Sequence, residues 1–253
     1  MLSNVFGRYY PINSRIHKMS SISKVLCTLI FIIATLLCNK IEYHVVLLFL
    51  LLFVMLDTCV PFIVYLKTIL SLKWLLLFIL IINLIFKNDI ASSLIMIFKI
   101  IYMLLSSTIL TLTTTPTDLT YGLQKVMSPL NKLHVPVNRI ALSLSLALRF
   151  IPTIIDQSNK ILRSQASRGV DYSGSNIKGK LISLNSLIIP MFSLTMKRAD
   201  NLSDAMEVRL YDIDAKRTNF RQNKWQSYDT FLLVLHIIVL VAIVIERVVW
   251  SIL

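Results

Sequence analysis

The 253-residue chain is short of glycine, cysteine and charge, and each shortage removes a class of function. Its five glycines form no Gly-rich phosphate loop ahead of a lysine, so the chain is not expected to bind or hydrolyse ATP itself. No His-Glu-x2-His and no Gly-x-Ser-x-Gly occurs, which excludes the familiar zinc-protease and serine-hydrolase arrangements. The three cysteines, Cys27, Cys38 and Cys59, lie in or beside apolar segments without paired spacing. They read as free core thiols, with no metal and no cofactor implied. Only 15% of residues are charged, and 13 are acidic against 26 basic. No cleavable signal is expected, because the first twenty residues are polar and basic with no apolar core. Insertion then relies on the spans themselves.

What is abundant is hydrocarbon. Hydrophobic residues make up 56% of the chain and mean hydropathy is +0.73, values that exclude an ordinary soluble domain. The reading is an all-α, polytopic protein forming one integral membrane domain over residues 1–253, in contact with a lipid bilayer. The net charge of +13 is not taken as a nucleic-acid signature, because cytoplasmic loops of membrane proteins collect Lys and Arg for topological reasons.

Five spans are predicted. Four fall within 22–112, at about 22–38, 43–57, 74–86 and 91–112, and the last lies within 228–250. The stretch from Val60 to Lys73 is punctuated by Pro61, Lys67, Ser71 and Lys73, and predicts an interfacial helix or a kinked entry. Between the fourth and fifth spans, over about 117–221, lies a long polar block; 16 of the 26 Lys and Arg residues fall between those spans. With the N-terminus inside, Arg8, Arg15, Lys18, Lys24, Lys67, Lys73 and that block are cytoplasmic, which puts the C-terminus outside.

Two features tempt a catalytic or transport reading. Lys99 lies mid-span, where a charge is costly and marks a functional candidate. No acidic residue lies mid-span to pair with it, so a protein interface or snorkelling is favoured over a transport site. Asp200, Asp204 and Glu207 share a helix face and resemble one half of a prenyltransferase magnesium-diphosphate site. No second aspartate-rich motif occurs, so an acidic face balancing Lys197, Arg198 and Arg209 is favoured, with no metal site.

The block reads as three helices. Thr117 or Asp118 caps the first, which runs toward Leu133 with Leu119, Leu123, Val126, Met127 and Leu130 at helical spacing. Pro136 starts the second, and Pro152 bends it. Ala141 with Ser145, and Ser143 with Ala147, form small-xxx-small pairs that permit close helix approach, whether inside the chain or to a partner. This helix ends at Ala166-Ser167-Arg168-Gly169. The third runs from about Ile177 to Tyr211 and ends in Met206-Glu207-Val208-Arg209-Leu210-Tyr211. An arginine before a glycine is suited to closing a helix. Two such ends 41 positions apart are more than closure requires, and an exposed arginine is suited to bidentate pairing with a partner's carboxylate.

These residues resemble a known family. Gly7-Arg8-Tyr9-x-Pro11…Ser14-x-Ile16-His17-Lys18, Gly122-Leu123…Pro129-Leu130…Leu133-His134-Val135-Pro136-Val137, Ser145-Leu146-Ala147-Leu148-Arg149-Phe150-Ile151-Pro152-Thr153, both arginine motifs and Lys216-Arg217-Thr218 resemble the transmembrane T component of energy-coupling factor (ECF) transporters. The resemblance covers nearly the whole chain. It departs at Ser167 and Val208, where the family has alanine, at Leu210, where it has glycine, and at Met19-Ser20-Ser21-Ile22, where it has Leu-Asp-Pro-Arg. Leucine in place of glycine leaves the shape of the second helix end open.

The resemblance implies a non-catalytic transducer in a bacterial or archaeal cell membrane. Two cytoplasmic ABC-type ATPases would dock on the helix ends at Ser167, Arg168, Gly169 and at Val208, Arg209, Leu210. A separate S component would capture a vitamin or transition-metal ion, and Ala141, Ser143, Ser145 and Ala147 are candidates for its contact. The alternative is an autonomous secondary transporter or channel. It would require inverted repeats or broken helices with midplane polar groups, for which Lys99 is the sole basis.

Overall fold

The computed structural model describes residues 9–38, 40–87, 90–170, 177–212, 215 and 225–252, and the described residues are helical with no strand. In chain order the helices are α1 (Arg15–Lys18), α2 (Ser21–Leu37), α3 (Ile41–Asp57), α4 (Phe62–Ser71), α5 (Lys73–Lys87), α6 (Ile90–Thr113), α7 (Pro116–Met127), α8 (Val137–Ser167), α9 (Ile177–Val208) and α10 (Ser227–Ile252). A 3-10 segment, Ser128–Leu133, follows α7. The chain divides into two compact units: residues 1–137 with 221–253, and residues 138–220. Gly7, Arg8, the expected Ser173-Gly174-Ser175 loop and Lys216-Arg217-Thr218 lie outside the described residues.

Three described helices are long and apolar enough to cross a membrane: Ile90–Thr113, Val137–Ser167 and Ser227–Val248. Phe62–Ser71 and Lys73–Asn83 meet at 54° and make a fourth if they act as one broken span. The break falls where Ser71 and Lys73 interrupt the apolar run, at the end of the stretch read as an interfacial helix or a kinked entry. Lys73 lies over the ring of exposed Trp74 at 5.6 Å, a pairing that suits the headgroup level. α2 and α3 have 17 residues each, about 26 Å of helix. Either would need its flanks to cover a hydrocarbon core of ~30 Å. The structure therefore supports a multi-span helical protein with three to four spans by length, a coarser result than the five predicted.

In the first unit α2 is central and packs against α6, α7 and α10. Phe31, Leu47, Leu51, Tyr65, Tyr102 and Ile243 belong to its buried core. Gly122 on α7 explains the closeness of α7 to α2: a Cβ there would lie 2.8 Å from the Ser21 carbonyl oxygen. Only hydrogen fits. The cap of α7 corrects the sequence reading. Thr115, not Thr117 or Asp118, is the N-cap residue, accepting from the Asp118 N–H at 3.2 Å, with Pro116 in the first turn. Proline suits that turn because its missing N–H would have no partner there.

Lys99 also finds a structural place. Its Nζ donates to the Leu36 carbonyl at 3.3 Å, one of the carbonyls at the C-terminal end of α2 that the helix itself leaves unpaired. The side chain so helps to close a neighbouring helix, on the protein interface that the sequence offered as one of its two readings.

Candidate functional site: two arginine-bearing helix ends and a buried polar knot

The second unit contains α8 and α9, each with a proline inside a continuous helix, Pro152 and Pro190. Gln157 on α8 accepts from Arg198 on α9, at 3.3 Å from Nε and 2.5 Å from Nη2. The two helices differ in sequence up to and including their last residues, but they close with the same backbone geometry.

At the end of α8 the Gly169 N–H donates to the Ala166 carbonyl at 3.0 Å and the Val170 N–H to the Gln165 carbonyl at 3.1 Å. At the end of α9 the Leu210 N–H donates to Glu207 at 2.8 Å and the Tyr211 N–H to Met206 at 2.9 Å. Both are the paired closure of a Schellman motif, in which the residue after the cap must turn left-handed. Gly169 does so at φ +87° and Leu210 at φ +53°. The shape that the sequence left open is thus the same at both ends. A leucine in this region crowds its Cβ against backbone and costs about 1–2 kcal/mol. Arg168 and Arg209 occupy the same cap position, and both are exposed with no ion pair to any described residue.

The neighbours of the arginines differ. Ser167 donates back to the Arg163 carbonyl at 3.0 Å, and Gly169 has no side chain. Val208 and Leu210 stand out from the helix end, 83% and 89% exposed, more than any other large apolar side chain described. The acidic residues Asp200, Asp204 and Glu207 are exposed on α9. Among the described residues, no three His, Cys, Asp or Glu side chains gather in a way that would hold a metal ion. On α8, Ala141 is buried whereas Ser143, Ser145 and Ala147 are exposed, so the two small-residue pairs do not form one continuous covered strip.

A polar knot in the first unit was not legible in the sequence. Lys24, counted among the loop cations, is only 6% exposed, and its Nζ donates to the carbonyls of Thr113 at 2.9 Å and His17 at 3.2 Å. Asp229, fully buried, accepts from the backbone N–H of Ser20 at 3.1 Å and of Gln226 at 2.7 Å. Its carbonyl accepts from Ser23 Oγ at 3.3 Å, and Tyr228 donates to Asp57. One buried cation and one buried carboxylate so tie the ends of α1, α6 and α10 to the start of α2. Buried charges persist only with such partners.

His17 holds the segment before α2. Its Nε2–H donates to the Tyr10 carbonyl at 2.9 Å, which leaves Nδ1 to accept from the Ser14 hydroxyl at 2.7 Å. The Tyr10 N–H in turn donates to Leu112 at 3.0 Å. Burial lowers the pKa of His17 below the usual 6.5; the bond to Tyr10 opposes this, and the Lys24 charge adds to it. The imidazole is therefore neutral at pH 7 and serves to hold the chain before α2.

Residues 13–220 match the family model described as CbiQ, cobalt transport protein. Three similar proteins carry the description "energy-coupling factor transporter transmembrane protein EcfT". That of Lactococcus lactis subsp. cremoris is 34% identical, over 99% of both chains. That of Listeria innocua is 32% identical, over 91% of this chain and 93% of its own. The Bacillus subtilis protein is 30% identical, over 96% and 97%. Matches of this identity and extent, in a helical chain with several membrane-length apolar helices, establish the family: the chain belongs to the transmembrane components of energy-coupling factor transporters.

Proposed function

We propose that this chain is the non-catalytic transducer of an ECF-type importer, in which two ABC-type ATPases dock on the ends of α8 and α9. The observation that carries the reading is the repeated helix end. Each closes with the same pair of hydrogen bonds, and each presents an exposed arginine at the same cap position with no ion pair to a described residue. Closure needs no arginine, and one cation near a helix dipole is worth only about 0.3–1 kcal/mol at an exposed site. A guanidinium offers five donors in a fixed fork suited to a carboxylate on a partner. Ser167, Arg168, Gly169 and Val208, Arg209, Leu210 are thus the coupling residues, and ATP is bound and hydrolysed by the partners.

The same reading has α8, although long and apolar enough to cross a membrane, together with α9 as the cytoplasmic coupling region, with the N-terminus inside and the C-terminus outside, in a bacterial or archaeal cell membrane. The uneven distribution of Lys and Arg supports this orientation. A separate S component would bring the vitamin or metal ion. Its contact draws on the exposed small residues Ser143, Ser145 and Ala147, with exposed Ile140 and Leu144 on α8 adding apolar area; Ala141, the fourth candidate, is buried and takes no part.

The test is co-purification of the full chain in detergent with its candidate ATPases. Arg168→Glu and Arg209→Glu should each weaken capture, and the double variant should lose it while still inserting and folding, because attraction to a carboxylate becomes repulsion. Capture by the double variant equal to that of the unaltered chain would refute the docking assignment.

A further inference from the structure

Leu210 has no structural task that glycine would not perform better. The bonds that close α9 need only a left-handed residue at this position, and Gly169 supplies that conformation at the other end without a side chain. The motif's usual hydrophobic contact falls to the positions on either side of the cap turn, here Met206 and Tyr211, both half-buried. Val208 and Leu210 are left to solvent, one on each side of Arg209 in the chain. A strained backbone and two exposed aliphatic side chains occur together at the one tip.

Resting on the docking reading above, we infer that Leu210, with Val208, is an apolar anchor for one ATPase subunit, filling an aliphatic or aromatic recess beside the carboxylate that receives Arg209. The two helix ends then ask for different surfaces. The α8 end, Ser167-Arg168-Gly169, offers a cation flanked by a hydroxyl and bare backbone, and fits a narrow polar groove. The α9 end offers a cation between two hydrocarbon side chains, and fits a wider groove with an apolar wall. In such contacts an apolar side chain seated in a desolvated recess adds affinity, while the neighbouring ion pair selects the partner and the orientation. Desolvation of the recess by Leu210 also strengthens the arginine–carboxylate pair beside it.

The experiment measures binding of the purified ATPases to the full chain in nanodiscs, together with the chain's own thermal stability. The variants are Leu210→Gly, Leu210→Met and Arg209→Glu. Leu210→Gly relieves the backbone and should leave the thermal midpoint unchanged or higher. It should nevertheless weaken ATPase binding about tenfold, the scale expected when one aliphatic side chain loses its burial. Leu210→Met retains an apolar side chain and should stay within about threefold of the unaltered chain. If Arg209→Glu loses binding while Leu210→Gly binds normally, the anchor is refuted and the docking reading stands. If Arg209→Glu itself binds normally, the docking reading is refuted and the anchor with it. A Leu210→Gly chain that loses binding only in step with its own melting would assign Leu210 to folding and refute the anchor.

Discussion

The knot around Lys24 and Asp229 and the two ends of α8 and α9 use the same kinds of group in opposite ways. In the knot, a cation and a carboxylate are buried and answered by backbone partners. At the helix ends, two arginines stand exposed without an ion pair to a described residue, one of them beside bare hydrocarbon. A buried, satisfied charge holds a fold together, and an exposed cation in a repeated geometry is available to something else. Substitutions should separate the two: those in the knot should act on stability, and those at the helix ends on binding.

The largest expected effect is on the knot. Asp229→Ala leaves the Ser20 and Gln226 N–H groups without their carboxylate acceptor and should destabilise the chain by about 3 kcal/mol. Thermal unfolding in detergent measures this, and ATPase capture should fall only with the folded fraction. Gly122→Ala comes next. Its Cβ must displace the Ser21 carbonyl, so about 1–3 kcal/mol should be lost, again with unchanged capture by the folded protein.

A smaller effect depends on pH. The folded chain holds the pKa of His17 below 6.5, so the unfolded chain takes up the proton more readily. This contribution to stability is fully present above pH 6.5 and is lost as pH falls from 6.5 through the lowered folded value. His17→Gln should flatten that part of the stability–pH curve; an unchanged slope would contradict a half-buried, neutral imidazole at this position.

The smallest effect is at the closures. Gly169→Ala should cost about 1 kcal/mol by forcing a Cβ into the left-handed region, though no neighbouring atom lies within 4 Å of it. Unfolding curves of the isolated chain measure it. A neutral outcome would mean that the α8 end closes differently in solution.

The sequence made some of this legible for physical reasons. Apolar runs and helical periodicity located the helices to within a few residues, and the polar interruption at Ser71 and Lys73 marked the bend after α4. Ala166-Ser167-Arg168-Gly169 indicated a closed helix end because glycine there has one dominant use. Leu210 gave no such sign, since leucine seldom turns left-handed, and only the backbone reveals the equivalence of the two ends. Thr115 as the cap was within reach, because Pro116 is suited to the first turn that follows a cap. The knot was not. Lys24 and Asp229 lie at opposite ends of the chain, and no local pattern tells that two charges at the margins of apolar segments will be buried in one place. The reach of Lys99 to Leu36 was hidden for the same reason.

The central claim is that both helix ends touch ATPase subunits. The most direct measurement places a photoreactive phenylalanine analogue at position 170 or 211, the equivalent residues after each turn, in the assembled membrane complex with Arg168 and Arg209 intact. Illumination should join each position to an ATPase subunit, identified by the mass of the adduct. Adducts with lipid or with the S component alone, from either position, would contradict the account.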